Sequence, residues 1–194
     1  MLRGMTRGRL SRDQILDAAL RLADEEGLPA LSMRAVAQRL EVTPMALYRH
    51  VGDKDGLLDA LVERLLTDAA GEPELRGDAE GPTGGPDWAD LLAERAAAIR
   101  ATARRHPAAF GLLLSRRAGT PSALQSRDRV LAALAAAGVP ADDVPRLERV
   151  LSTFVIGFAA SEANGRFADL ERADADFDYA LGLLARLIDA AAGR

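Results

Sequence analysis

The stretch VTPMALYRHVGDKD, residues 42–55, decides how the N-terminal part of the chain folds. Thr43 can accept the free amide hydrogens at the start of a helix, and Pro44 suits the first helical position, where no amide hydrogen is needed. Leu47 and Val51 are spaced to face a hydrophobic core. The Tyr-Arg-His triplet between them is unusual for a core helix, and it predicts that this short helix contacts another molecule.

Capping residues and apolar stripes predict helices on both sides of this stretch. Ser11 begins a helix that Gly27 ends, and Ser32 begins a second helix that runs to Leu40. Asp53 can cap a fourth helix, whose leucines form a broad apolar face. Two helices joined by a three- or four-residue turn are typical of a helix-turn-helix, in which the second helix enters the major groove of DNA.

The residues of the short helix that do not face the core form its predicted DNA side. Taken singly, Tyr48 and His50 are equally well explained as partly buried packing residues. As a cluster behind a helix start, with Arg34 before it and Lys54 after it, they favour DNA contact. An arginine such as Arg34 or Arg49 can hold guanine O6 and N7 with two parallel hydrogen bonds. On the short helix, the predicted DNA-side residues are Met45, Ala46, Tyr48, Arg49 and His50.

The segment RAVAQRLEVTPMALYRHVGDKDGLLDALV, together with the capped helix at residues 11–27, resembles the DNA-binding domain of TetR-type transcriptional regulators. This resemblance covers roughly residues 8–66 and is most specific in LYRHVGDKDGLLDAL. It implies that phosphates are contacted by Thr43, Tyr48, His50 and Lys54. It also implies that base edges are approached by Arg34, Pro44, Met45 and Arg49.

Glu41 departs from the usual helix-turn-helix pattern. Turns of this kind often have glycine at the corresponding position, because the backbone φ angle there tends to be positive. A glutamate in that conformation is expected to cost on the order of 1 kcal/mol, which a packed domain tolerates.

Charge and composition fit a DNA-binding module joined to an acidic body. The 194 residues are 48% hydrophobic, carry a net charge of −4 and include no cysteine. Residues 1–56 hold nine basic and eight acidic residues, a balance of +1, so the remainder carries −5. Four arginines precede the first acidic residue, Asp13, and predict a mobile basic arm. No apolar run resembles a signal sequence or spans a bilayer, so we expect a cytoplasmic protein without a membrane partner.

The predicted fold class is all-α, because helical periodicity recurs along the chain and no strand pattern occurs. We expect a basic arm and three-helix DNA-binding domain at residues 1–56. A helical ligand-binding and dimerisation bundle follows at residues 57–194. The connecting helix is predicted at residues 54–70, and a flexible loop rich in glycine and proline at residues 71–87.

The last two predicted helices carry apolar residues that alternate by four and three positions, the spacing of helices that pack at shallow angles. This spacing fits ordinary packing within one subunit as well as an interface between two. We favour a homodimer, because a helix-turn-helix usually needs two half-sites and a two-fold interface that sets their separation. The family resemblance implies the same. The predicted interface residues are Leu151, Val155, Phe177, Leu181, Leu184 and Ile188.

The acidic body is larger than dimerisation requires, and the family resemblance implies that it encloses a small-molecule pocket. A ligand site is mostly apolar with a few orienting polar groups, so polar residues on apolar stripes are candidates. Such residues more often pair with each other or reach solvent. The predicted pocket residues are Arg95, Phe110, Leu114, Phe154, Phe158, Ser161 and Glu162.

These patterns together indicate a ligand-responsive DNA-binding transcriptional regulator. We expect a repressor that a small hydrophobic or amphipathic effector releases from a palindromic double-stranded operator. The fourth helix, with Leu57, Leu61 and Leu65, is the natural lever between the domains. The alternative is a DNA-binding regulator with no small-molecule ligand.

An enzyme is the rival class, and the sequence argues against it. Catalysis by a hydrolase needs a nucleophile, a base and an orienting group, yet His50 and His106 are the only histidines and there is no cysteine. No glycine-rich phosphate loop or metal-loop spacing occurs. We therefore expect no catalytic residues, no metal and no cofactor.

Overall fold

The computed structural model describes residues 10–70, 88–116, 119–167 and 169–193, and within these ranges it contains helices and no strand. The all-α prediction is confirmed. The predicted loop at residues 71–87 and the basic arm, apart from Arg12, lie outside the described residues. The helices are α1 (Arg12–Glu26), α2 (Met33–Arg39), α3 (Pro44–Val51), α4 (Lys54–Ala70), α5 (Trp88–Arg105), α6 (Pro107–Phe110), α7 (Leu112–Ser115), α8 (Pro121–Ala136), α9 (Val144–Ala163) and α10 (Leu170–Ala191), with a 3-10 turn at Leu28–Ala30.

The chain divides between Leu61 and Val62 into two compact units. This division and the predicted domain boundary after residue 56 both fall within α4. No helix in the described ranges has the length and apolar character needed to cross a bilayer.

The first unit begins with the two caps that the sequence predicts. The Ser11 hydroxyl accepts a hydrogen bond from the Gln14 amide at 3.1 Å, and the Gln14 side chain accepts one from the Ser11 amide at 2.9 Å. Ser32 caps α2 through the amide of Ala35, also at 3.1 Å. These bonds satisfy amides that the first helical turn leaves free. The largest fully buried side chains of the unit are those of Ile15, Leu31, Val36, Leu47, Leu57 and Leu61.

The turn between α2 and α3 has the conformation that the sequence predicts for it. Glu41 has a φ of 55°, and no other non-glycine residue in the described ranges has a positive φ. The Val42 amide donates to the carbonyl of Ala37 at 3.0 Å, and the Glu41 amide donates to the carbonyl of Gln38 at 3.1 Å. This pair of bonds is a Schellman motif, which satisfies the last carbonyls of α2 and offsets the strain at Glu41.

One predicted cap does not form. Thr43 occupies the N-cap position of α3 with an extended backbone, but its side chain makes no capping hydrogen bond. Pro44 removes one of the amides that would need a partner, and the Ala46 amide instead bonds to the backbone carbonyl of Thr43 at 2.9 Å. The Thr43 hydroxyl is therefore not needed to start the helix, and the residue is exposed.

In the second unit, α5 packs against α8 and α9, and α10 packs against α9. Among the described residues, three apolar clusters contribute to this packing, and two of them involve α10. One is centred on Leu134, Leu147 and Ile188, and the other joins Val155 to Phe177. The helices leave a cavity between them, described below.

Candidate nucleic-acid interface and ligand cavity

Helix α3 separates its residues onto two faces. Leu47 is fully buried and Val51 is buried, as predicted. On the outer face, Met45 is 71% exposed and Tyr48 is 46% exposed. Arg49 is exposed as well. The other predicted DNA-side residues are also accessible, with Arg34, Thr43, Pro44 and Lys54 exposed and Ala46 and His50 partly buried.

The cations of this face are not engaged in ion pairs within the described chain. Arg34, Arg49 and Lys54 form no salt bridge to another described residue. Arg39, which lies on α2 as Arg34 does, behaves differently, because it pairs with Glu25 at 2.6 Å and Glu26 at 3.3 Å. Arg49 shares α3 with the exposed ring of Tyr48 and the exposed thioether of Met45, a combination suited to phosphates and base edges.

A close approach between α3 and α4 fixes the position of Lys54. The Asp53 carboxylate accepts a hydrogen bond from the Gly56 amide at 2.9 Å, which is the predicted cap of α4. A Cβ atom at Gly56 would lie 2.2 Å from the carbonyl oxygen of Val51, so the site accepts only glycine. The sequence analysis missed this role, although a glycine in the first turn of a predicted helix was its visible signal.

A cavity of about 240 Å³ lies within the second unit, among α5, α8, α9 and α10. Its wall is mostly apolar, and its larger side chains include Leu66, Trp88, Leu92, Ile99, Val130 and Leu184. Five polar side chains interrupt this wall, all of them on α5, α8 or α9. They are Arg95, Ser126, Arg127, Glu148 and Ser152.

The charged groups of the cavity have different partners. Arg95 is half-buried and donates through Nη2 to the hydroxyl oxygen of Ser126. Arg127 donates through Nε to a carboxylate oxygen of Glu148 at 3.3 Å. Burial lowers the pKa of the Arg95 guanidinium below its ordinary value, and the charge of Arg129 lowers the pKa further. Arg95 is thus a cation that its surroundings do not stabilise.

Of the residues predicted to line a pocket, Arg95 lines this cavity and the other six lie elsewhere in the described structure. Phe110 fills a separate core cluster with Ala103 and Ala159. Leu114 is 62% exposed. Phe154 and Phe158 pack their rings on Phe177, with centroids 6.3 Å and 5.0 Å away. Apolar spacing places a residue toward the interior, but it does not tell a cavity wall from a filled core.

Glu162 also lies outside the cavity, in a buried ion-pair network, and its neighbour Ser161 is partly buried. Arg100 holds both Glu162 carboxylate oxygens, at 2.6 Å and 2.8 Å. Arg104 adds a bond of 2.6 Å to Glu162 and one of 2.5 Å to Asp174. The Arg100 guanidinium lies 4.6 Å from the centre of the Phe177 ring, a cation–π contact.

The network holds its two carboxyl groups in their charged form. Burial raises the pKa of Glu162, but the hydrogen bonds and charges of Arg100 and Arg104 outweigh burial, so the net pKa lies below its ordinary value. For Asp174, chiefly the hydrogen bond from Arg104 lowers the pKa. The sequence analysis missed Arg100, although its position between Ala96 and Ala103 on one helical stripe was a usable signal.

The structure places the six residues predicted for a dimer interface inside the second unit. Val155, Phe177 and Ile188 are buried within the single chain. Leu151, Leu181 and Leu184 are partly buried, and each lines the cavity. Burial accounts for the spacing of the first three as packing within the subunit, and an interface formed by the others stays a prediction. The large apolar residues exposed on α9 and α10 are different ones, namely Val150, Tyr179, Leu183 and Leu187.

Comparisons with known proteins bear on both units. The family model described as "Bacterial regulatory proteins, tetR family" matches residues 15–61. The model described as "Tetracyclin repressor-like, C-terminal domain" matches residues 81–186. A curated HTH-type transcriptional regulator from Saccharopolyspora erythraea is 35% identical over 164 residues. These residues are 84% of this chain but 66% of the relative, so the chain spans slightly less than two thirds of that protein.

Two similar solved structures contain a bound partner. BioQ, in a crystal structure with its natural double-stranded DNA operator, is 27% identical, with a TM-score of 0.72 over 93% of this chain and 99% of that one. A TetR variant from Acinetobacter baumannii AYE, in complex with minocycline, is 26% identical, with a TM-score of 0.73 over 90% of this chain and 94% of that one.

Proposed function

The chain belongs to the tetR family of bacterial regulatory proteins, and from this premise we propose that it is a cytoplasmic transcriptional repressor and not an enzyme. A small apolar or amphipathic effector releases it from a palindromic operator. The observation that carries this proposal is the exposed, cationic and aromatic face of α3 in one unit, together with a mostly apolar cavity in the other.

The outer face of α3 supports DNA binding on chemical grounds. Tyr48, His50 and Lys54 offer donors that suit phosphates, and Arg49 can read a guanine edge. An exposed Met45 can contact the methyl group of thymine, an apolar contact of the kind by which bases are also read. The related BioQ binds a double-stranded operator, which agrees with this assignment.

The composition and volume of the cavity support the proposal that an effector binds there. Ligand sites are mostly apolar with a few polar groups that orient the ligand, and the cavity has this composition. Its 240 Å³ lies just below the ~300–1,000 Å³ usual for such sites, which favours a small effector. The related TetR variant binds minocycline. Helix α4 begins in the first unit and continues into the second, where Leu66 lines the cavity, so it is the natural lever for coupling.

A metabolite screen by thermal unfolding tests the effector. A ligand that binds the folded state raises the melting temperature, by an amount that grows with its concentration above Kd. We expect hits, and we expect each hit to weaken binding to DNA in a fluorescence anisotropy titration. A regulator without a ligand, the alternative, predicts no hits across the library. Hits that leave DNA affinity unchanged would contradict the proposed release.

We further propose that the protein is a homodimer, because two half-sites need two recognition helices held at a fixed separation. Three of the six residues predicted from spacing are buried within the single chain, so the exposed apolar residues of α9 and α10 are the better candidates. Leu183 and Leu187 are each 44% exposed and lie one helical turn apart on α10. Exposed apolar side chains grouped in this way commonly mark an interface.

Analytical ultracentrifugation at micromolar concentration tests the dimer. We expect the wild-type mass to be that of two chains, and the double variant Leu183→Arg, Leu187→Arg to sediment as one, because two arginines would be desolvated at the interface. Leu124→Arg is the matched control, since Leu124 is similarly exposed but lies on α8. A wild-type mass of one chain rejects the homodimer.

A further inference from the structure

The polar groups of the cavity form two bonded pairs and one further hydroxyl. Arg95 on α5 donates to Ser126 on α8, Arg127 on α8 donates to Glu148 on α9, and Ser152 on α9 is the fifth polar side chain, while the remaining wall is mostly apolar. A molecule that fills this space therefore meets an apolar surface over most of its body and polar groups at a few positions. This lining predicts an amphipathic ligand, but it does not by itself predict the sign of the ligand's charge.

The charges of the lining residues favour an anion. Arg95 and Arg127 contribute two positive charges and Glu148 one negative charge, a balance of +1. Arg127 and Glu148 already pair with each other at 3.3 Å. Arg95 has no carboxylate partner among the described residues, and its hydrogen bond goes to the neutral hydroxyl of Ser126.

A half-buried cation that meets no carboxylate among the described residues is unfavourable in a mostly apolar cavity. The pKa of Arg95 is lowered by burial and by the nearby charge of Arg129, and no described carboxylate raises it. A neutral apolar ligand would desolvate the guanidinium further without forming a hydrogen bond to it. A cationic ligand would be repelled by it. A ligand with an anionic oxygen would supply the missing partner and could accept two parallel hydrogen bonds from the guanidinium.

We propose that the effector is a small organic acid, with an apolar body in the main cavity and a carboxylate paired with Arg95. The Ser126 hydroxyl, which accepts a hydrogen bond from Arg95, donates its own proton to the same carboxylate. This inference rests on the proposed function, because it assumes that the cavity is the effector site, and it defines the chemical class of that effector.

Pairs of an acid and its own amide test the carboxylate directly, because the two differ little in size and shape. Suitable probes are 4-phenylbutyrate, 4-cyclohexylbutyrate and octanoate, each compared with the corresponding amide. The chain has one tryptophan, Trp88, which lines the cavity, so its fluorescence reports occupation of this site. Isothermal titration calorimetry gives the affinities independently.

We expect each acid to bind the wild-type protein at least about tenfold more tightly than its amide, since a hydrogen-bonded ion pair is worth about one decade or more in affinity. In Arg95→Gln the preference is expected to fall to about twofold or less. The control is Arg129→Gln, which removes a nearby exposed cation that does not line the cavity. It should retain the preference for the acid.

Three results would overturn the inference: equal affinities within the wild-type pairs, a preference for the amides, or no saturable binding of any acid at millimolar concentration. The wild-type comparison stands even if Arg95→Gln fails to fold. DNA binding measured on the same preparations separates the two proposals. If the protein binds DNA but does not prefer the acids, only the proposal of an organic-acid effector is wrong. If the protein does not bind DNA, the proposed function itself is wrong.

Discussion

Replacement of Glu162 by glutamine is expected to lower the free energy of unfolding by about 3 kcal/mol at neutral pH, because it leaves the buried Arg100 without its main counter-ion. Both side chains of this pair are nearly inaccessible, at 3% for Glu162 and 9% for Arg100. Arg100 keeps a bond of 2.8 Å to Asp174, so the loss is expected at the lower end of the range for broken buried pairs. Urea unfolding followed by circular dichroism measures it.

Asp174→Asn is the matched control for this prediction. Asp174 touches the same two arginines, but its side chain is 55% exposed, so water screens its charge and can replace it. We expect a much smaller change in unfolding free energy than for Glu162→Gln. Equal losses for the two variants would show that burial of the Arg100–Glu162 pair is not what makes it important.

The difference in unfolding free energy between wild type and Glu162→Gln can be measured as a function of pH. Its pH dependence tests whether the charge of Glu162 causes the loss of stability. The pKa of Glu162 in the folded protein is lowered, so its contribution to stability is present above the unfolded pKa of about 4.3 and is lost as the pH falls through the folded value. The difference between wild type and Glu162→Gln should be constant near neutrality and shrink below about pH 4.3. A difference that persists in acid would assign the effect to packing instead.

Replacement of Arg49 by alanine is expected to change which DNA sequences the protein prefers. If Arg49 holds a guanine edge with two hydrogen bonds, its loss should cost about 1–3 kcal/mol per half-site on the best sequence and less on sequences that lack that guanine. Competition binding against a set of singly substituted operators measures both effects. An equal loss of affinity for every operator in the set would indicate that Arg49 contacts phosphates and does not read a base.

Two other cations serve as controls in the same assay. Lys54→Ala should weaken binding to all sequences alike and reduce the salt dependence by about one phosphate contact per half-site. Arg39→Ala should leave DNA binding nearly unchanged, because Arg39 is engaged with Glu25 and Glu26. A large effect at Arg39 would mean that the DNA surface extends along α2.

The local features of the first unit could be predicted from sequence because they depend on neighbours a few residues apart. Ser11, Ser32 and Asp53 cap their helices as expected, and Glu41 has the positive φ that its place in the turn requires. The inward position of Leu47 followed from helical spacing alone. Thr43 was the exception, since a proline after it and a backbone bond made its side-chain cap unnecessary.

The second unit was harder to predict because its distinctive features join distant parts of the chain. Arg100 and Glu162 are 62 positions apart, and periodicity identifies each as inward-facing without indicating that they meet. The same limit applies to the spacing of Phe177 and Ile188, which fits an interface between subunits as well as packing within one. Whether the inward face of a helix meets a cavity depends on the volumes of residues on other helices. The sequence therefore predicted both Arg95 and Glu162 as pocket residues, and it could not tell that only Arg95 lines the cavity.

The central claim is that the outer face of α3 contacts double-stranded DNA, and selection from a random pool of duplexes at low ionic strength tests it most directly. The account predicts that the wild-type protein enriches an inverted repeat, that its affinity falls steeply with added salt, and that Arg49→Ala enriches a different base at one position of each half. Failure of the folded protein to retain any duplex under these conditions would contradict it.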